Sequence, residues 1–178
     1  PIYDNDSIFK ETGLGSRSGS KFEYYGKYYD EDEKEELVDP NLVAFSPNND
    51  GLQDTVSLNN YFLRNAKCYE IEVLDKDKNF IGNKMIYYNV VKNSYNDSSG
   101  NKSRQLQYYY NWDGTKYNMS TGSFDKVEDG QYYIRAKTIG YTDNAKEQVI
   151  DMPVKVDTVS PIVSNVYIDR IEEDEEIL

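Results

Sequence analysis

The chain has 178 residues, 20 Lys and Arg against 32 Asp and Glu for a formal charge of −12 at pH 7, and no histidine. That charge repels a phosphate backbone, which excludes nucleic acid as a partner. The missing imidazole excludes a Ser-His-Asp or Cys-His set and any histidine metal ligand within these residues. One cysteine, Cys68, closes no intramolecular disulfide, and no apolar run approaches the roughly 18 residues that cross a bilayer, so membrane insertion is not expected.

Residues 1–40 are polar and glycine-containing and end in the acidic run Asp30-Glu31-Asp32-Glu33-Lys34-Glu35-Glu36. They are expected to be a leader from a preceding domain that packs on the surface of the domain beginning at residue 41, with little core of its own. Pro1 in place of methionine reads as a piece cut from a larger protein. Ser7 to Lys10 and Ser18 to Lys21 fit S-x-x-K, but without S-D-N or K-T-G the spacing is coincidental.

Residues 41–158 read as an all-β domain. The segment Phe45-Ser46-Pro47-Asn48-Asn49-Asp50-Gly51-Leu52-Gln53-Asp54 concentrates oxygen atoms in a short turn. Two readings fit it. Asn48, Asp50, the carbonyl of Leu52 and Asp54, with Asp113 or Asp157 from other loops, form a candidate calcium site; alternatively the same side chains cap their own backbone in an Asx-type turn. It is no EF-hand, because Ser57 falls where a bidentate glutamate is required. A short helical turn is expected over 59–65, where Leu58, Phe62 and Leu63 fall on one side.

Alternation then takes over. Tyr69, Ile71 and Val73 alternate with Glu70 and Glu72, and Ile150, Met152, Val154 and Val156 with Asp151, Pro153 and Lys155. Strands are also expected over 79–91, with Gly82 as a bulge, and over 131–140, opened by Asp129-Gly130. Pro153 cannot donate to a ladder, which predicts an edge or bulge there. Asp75-Lys76-Asp77-Lys78-Asn79 is a hairpin turn. Trp112 is expected in the core rather than, with Asp113, at a glycosidase centre. Tyrosine clusters such as Tyr108-Tyr109-Tyr110 suit a sheet surface or, alternatively, an aromatic platform for sugar or peptide. Val156 to Pro161 reads as a boundary, with residues 159–178 as linker and first strand of a following domain. The sum is an antiparallel β-sandwich.

Several segments in order resemble the fibronectin type III-like domains of lactocepin-type cell-envelope proteinases, subtilisin-like serine proteases of Gram-positive bacteria that include streptococcal complement-cleaving peptidases. They are Ala44 to Gly51, Asp54-Thr55-Val56, Leu63-Arg64-Asn65-Ala66, Val73 to Asp77, Trp112-Asp113-Gly114-Thr115, Asp129 to Tyr133 and Val154 to Thr158. The chain departs from that pattern at Lys78-Asn79, where the family turns on glycine and Asn79 is expected to take the left-handed position, and in the insertion Lys116 to Glu128. The resemblance implies an immunoglobulin or fibronectin type III-like sandwich that is not itself an enzyme. It also implies an extracellular, cell-wall location and, as partners, the protease and neighbouring sandwich domains of the parent and its protein substrate. The alternative is an adhesive or carbohydrate-binding sandwich using its tyrosines.

Overall fold

The computed structural model describes residues 8–18, 21–30, 43–92, 108–142 and 147–159, and their regular structure is all strand. The strands are β1 (Phe9–Ser18), β2 (Lys21–Asp30), β3 (Val43–Phe45), β4 (Val56–Phe62), β5 (Ala66–Leu74), β6 (Phe80–Val90), β7 (Tyr109–Trp112), β8 (Thr115–Asn118), β9 (Ser123–Lys126), β10 (Gly130–Ile139) and β11 (Gln148–Val156). One sheet runs β2-β1-β4-β7, a second β3-β11-β10-β5-β6, and β8 and β9 form a separate hairpin. The expected sandwich is present, with one departure from the antiparallel rule: β3 pairs parallel with β11, from Val43↔Val154 to Phe45↔Val156. Among the described residues no helix is long and apolar enough to cross a membrane.

The alternating segments behave as their period dictates. Tyr69, Ile71 and Val73 of β5 and Ile150, Met152, Val154 and Val156 of β11 are buried, with Glu70, Glu72 and Lys155 outside them. The two inner faces meet through rings: Phe62 lies 5.0 Å from Tyr69, and Trp112 lies 5.4 Å from Phe45 and 5.3 Å from Tyr132. Trp112 is 1% exposed, so truncating it to alanine is expected to cost about 3–5 kcal/mol.

Among the described residues the parallel pairing of β3 with β11 runs from Val43↔Val154 to Phe45↔Val156, and the Pro153 carbonyl accepts the Tyr28 hydroxyl at 3.0 Å. The bulge expected at Gly82 is also present: Glu72 faces Lys84 and Leu74 faces Phe80, leaving Ile81, Gly82 and Asn83 opposite the single residue Val73.

Three expectations are corrected. Within residues 1–40, read as a surface leader with little core, residues 9–18 and 21–30 are two strands, and Phe9, Leu14 and Tyr28 in them are fully buried. Their glycines are packing positions: a Cβ on Gly13 would lie 2.7 Å from Tyr24 Cδ1, so glycine lets the ring of Tyr24 lie across the sheet, where its hydroxyl meets Asn59 Nδ2. The helical turn over 59–65 is instead the end of β4. Leu58 and Phe62 are four apart, a spacing that shares a face in a strand as well as in a helix. In the turn after β5 the left-handed residue is Lys78 (φ 64°), not Asn79, because Asn79 is held by Asp75: its N–H donates to Asp75 Oδ1 at 2.8 Å and its carbonyl accepts Asp75 N at 2.8 Å.

Candidate functional site

The oxygen-rich loop joins β3 to β4 and turns through three left-handed residues, Asn49, Gly51 and Gln53. Its side chains are spent on its own backbone. Asp54 accepts Asn49 N on Oδ1 at 2.6 Å and Gly51 N on Oδ2 at 2.8 Å; Asp50 accepts Leu52 N at 2.8 Å and Asn48 Nδ2 at 2.9 Å; Asn48 Oδ1 accepts Asp50 N at 3.0 Å. All five side-chain oxygens of these three residues therefore have donors inside the loop, which describes the Asx-type turn. Leu52 is 72% exposed at the tip.

The neighbouring turn, Trp112-Asp113-Gly114-Thr115, packs against the base of this loop. Gly114 has φ +70°, and a Cβ there would stand 2.6 Å from Pro47 Cγ, so only glycine allows the two turns to touch. Asp113 does not join the acids of the loop: its Oδ1 accepts the Thr115 hydroxyl at 2.6 Å. Asp157 is likewise engaged, by Lys155 Nζ at 2.8 Å and Val159 N at 3.2 Å. What joins the two turns is Lys126, whose Nζ donates to the carbonyls of Pro47 at 3.1 Å and Asp113 at 3.4 Å. An ammonium thus serves the two outward carbonyls, and among the described residues no group of three or more acids, cysteines or histidines is placed to hold a metal. Nor do Trp112 and Asp113 form a sugar platform, for the indole is buried and its Nε1 donates to the Thr115 carbonyl at 2.8 Å.

Comparison with known proteins gives a consistent set. Over 147 residues, 81% of its length, the chain is 31% identical to the PI-type proteinase of Lactococcus lactis subsp. cremoris. It is 30% identical over 144 residues to the PII-type proteinase of Lacticaseibacillus paracasei, and 36% identical over 122 residues to the C5a peptidase of Streptococcus pyogenes. These relatives are cell-envelope proteinases, and the chain is homologous to one segment of them. It spans only 7% to 10% of the length of these relatives. No family model matches the chain.

Two tyrosines of the Tyr108-Tyr109-Tyr110 cluster are engaged within the sheet. Tyr108 packs against Phe62 at 5.7 Å and Tyr87 at 5.2 Å, and its hydroxyl accepts Val91 N at 3.1 Å. Burial pushes the hydroxyl of the half-buried Tyr110 up to about 12. Tyr108 and Tyr110 are therefore partly buried rings of the sheet. The joints at the ends of the sandwich escaped the sequence reading. Gln148 Oε1 accepts Ile8 N at 3.0 Å, and Asp129 accepts Thr158 N at 3.0 Å and Thr158 Oγ1 at 2.8 Å. The only sequence signal for either was the acid of Asp129-Gly130, which reads as a turn former.

Proposed function

We propose that this chain is a non-catalytic, fibronectin type III-like accessory module of a secreted, wall-associated, subtilisin-like serine protease. Its role is to brace the protease domain and hold it at a set distance and orientation. The observation that carries the reading is the size of the match: a segment covering 7% to 10% of established proteinases, in a chain without a single histidine. A general base near neutrality is needed to activate a serine, and this segment offers no imidazole for it. The catalytic residues of the parent then lie outside these 178 residues, and residues 159–178 lead toward a further domain of the same chain.

The interior suits a bracing role. The core is closed by large rings and the loop between β3 and β4 is internally bonded, so the module resists bending between its two pinned ends. Labelling the intact parent with a fluorophosphonate, which esterifies an activated serine, tests the reading. The label is expected on a peptide outside residues 1–178; label recovered within them, or a parent open to no such label at all, would sink it.

A further inference from the structure

The first and last of the described strands, β1 and β11, are both interior to their sheets, β1 between β2 and β4 and β11 between β3 and β10. They lie in different sheets yet run the same way. Ile8 N donates to Gln148 Oε1 at 3.0 Å and, further along both segments, Thr12 Oγ1 lies 3.9 Å from Met152 Sδ. Ile8 therefore stands beside the start of β11, and Thr158 lies just beyond its end. The nine residues of β11 put about 30 Å between them.

Both points are fastened to the sandwich. Leu63 N donates to Ile8 O at 2.8 Å; at the other end Asp157 N donates to Phe45 O at 3.1 Å, and Asp129 accepts Thr158 N at 3.0 Å and Thr158 Oγ1 at 2.8 Å. A pull on the chain beyond either point reaches a strand rather than a loose end. It draws β1 and β11 along their own axes in opposite directions, and because antiparallel ladder bonds lie across the strand, those of each strand resist together. A strand lifted from one end loses them in turn. The sheets do not slide freely past each other, since Phe9 lies 6.0 Å and Phe62 5.0 Å from Tyr69 across the core.

We infer that this module carries tension: a pull along the parent chain passes from β1 through the core to β11 in shear, and the sandwich stays folded under a force that would peel a strand away. Had Ile8 and Thr158 met at one end of the sandwich, the same pull would unzip it. The inference goes beyond bracing, which concerns distance and orientation at rest. It rests on the module reading above, in which further chain of the parent adjoins this segment at both ends.

Optical-tweezers pulling on the full-length parent tests the proposal, with handles on introduced cysteines and every other cysteine removed, Cys68→Ser included. One molecule carries Ser7→Cys and Val159→Cys, which draws β1 and β11 lengthwise; Val159 is 71% exposed. The other carries Glu128→Cys and Val159→Cys, at the Gly130↔Val156 end of the β10–β11 pair, which peels that pair apart. The lengthwise molecule is expected to hold to a several-fold higher force and then to release residues 8–158 in a single step. Equal forces in the two molecules overturn the proposal. So does a first release in the lengthwise molecule as short as β1 or β11 alone. The fluorophosphonate result is independent of the pulling geometry, so a failure of the tension reading and a failure of the module reading are told apart.

Discussion

Asn60, on β4 of one sheet, donates from Nδ2 to the hydroxyl of Tyr69, on β5 of the other. Its Oδ1 accepts the hydroxyl of Thr12 on β1, so a thread of polar groups runs through an otherwise apolar interior and links three strands. All three side chains are buried, and burial holds the Tyr69 hydroxyl well above its usual range and hence protonated. Replacing Asn60 by alanine takes the partner from the Tyr69 hydroxyl, while Thr12 Oγ1 keeps the Asn59 carbonyl at 3.3 Å, and a buried polar group left unsatisfied costs about 1–3 kcal/mol. Urea unfolding of Asn60→Ala is expected to show a loss in that range. Tyr69→Phe should cost less in the Asn60→Ala background than in the unsubstituted chain, and additive losses would mean that the bond carries no coupling.

Lys126 makes a second expectation. Lys126→Met keeps the length of the side chain and removes the donor shared by Pro47 O and Asp113 O. A loss of about 1 kcal/mol is expected, together with faster amide exchange around Asn49, Gly51 and Val127 than elsewhere in the sandwich. Unchanged exchange there would show that the two turns hold together without the lysine.

The calcium expectation is settled by melting. Because the oxygens of Asn48, Asp50 and Asp54 already hold their own backbone, the melting temperature is expected to be the same in calcium and in chelator. Asp54→Ala should lower it equally in both, by the loss of two hydrogen bonds at about 1 kcal/mol each. A calcium-dependent rise that Asp54→Ala abolishes would establish the metal site instead, since a ligand that binds only the folded state raises its stability.

Acid should weaken the outer face of the five-stranded sheet. Asp151 is held below its usual range by the hydrogen bond from Arg135, against the opposing effect of burial, with Lys78 adding to the lowering. Burial alone would raise Glu70, but the hydrogen bonds from Lys137 and Lys84 outweigh it and leave this acid lowered too. A carboxyl lowered in the folded state contributes stability above its unfolded pKa, near 4, and that stability is lost as pH falls through the folded value. Unfolding free energy is therefore expected to decline below about pH 4, and the double variant Glu70→Gln, Asp151→Asn to be less stable at neutral pH with a shallower acid limb. A limb as steep as that of the unsubstituted chain would place the responsible carboxyls elsewhere.

Much of this architecture was readable from local pattern. Alternation in β5 and β11, the turn at Asp75 and the bulge at Gly82 all follow from periodicity or from turn chemistry. The misreadings share a cause. In β1 and β2 the glycines and charges looked like surface chain, because the ring of Tyr24 that covers Gly13 and reaches Asn59 is distant in sequence from Asn59. In β4, where all seven residues are buried, no face is left polar to disclose the strand period. In the loop over Asn48, Asp50, Leu52 and Asp54, composition allows a cation or a turn, and the direction of each N–H, which forms the turn, is not written in it.

By itself the sequence determined that the chain folds as sheet and that it carries no imidazole, since both are properties of residue type and short-range order. The tertiary structure decided which strands share a sheet, that Lys126 spans the Pro47 and Asp113 turns, and that Ile8 bonds across to Gln148. Those outcomes depend on contacts between residues far apart along the chain, and the free energy of such contacts leaves no local trace in the order of the residues.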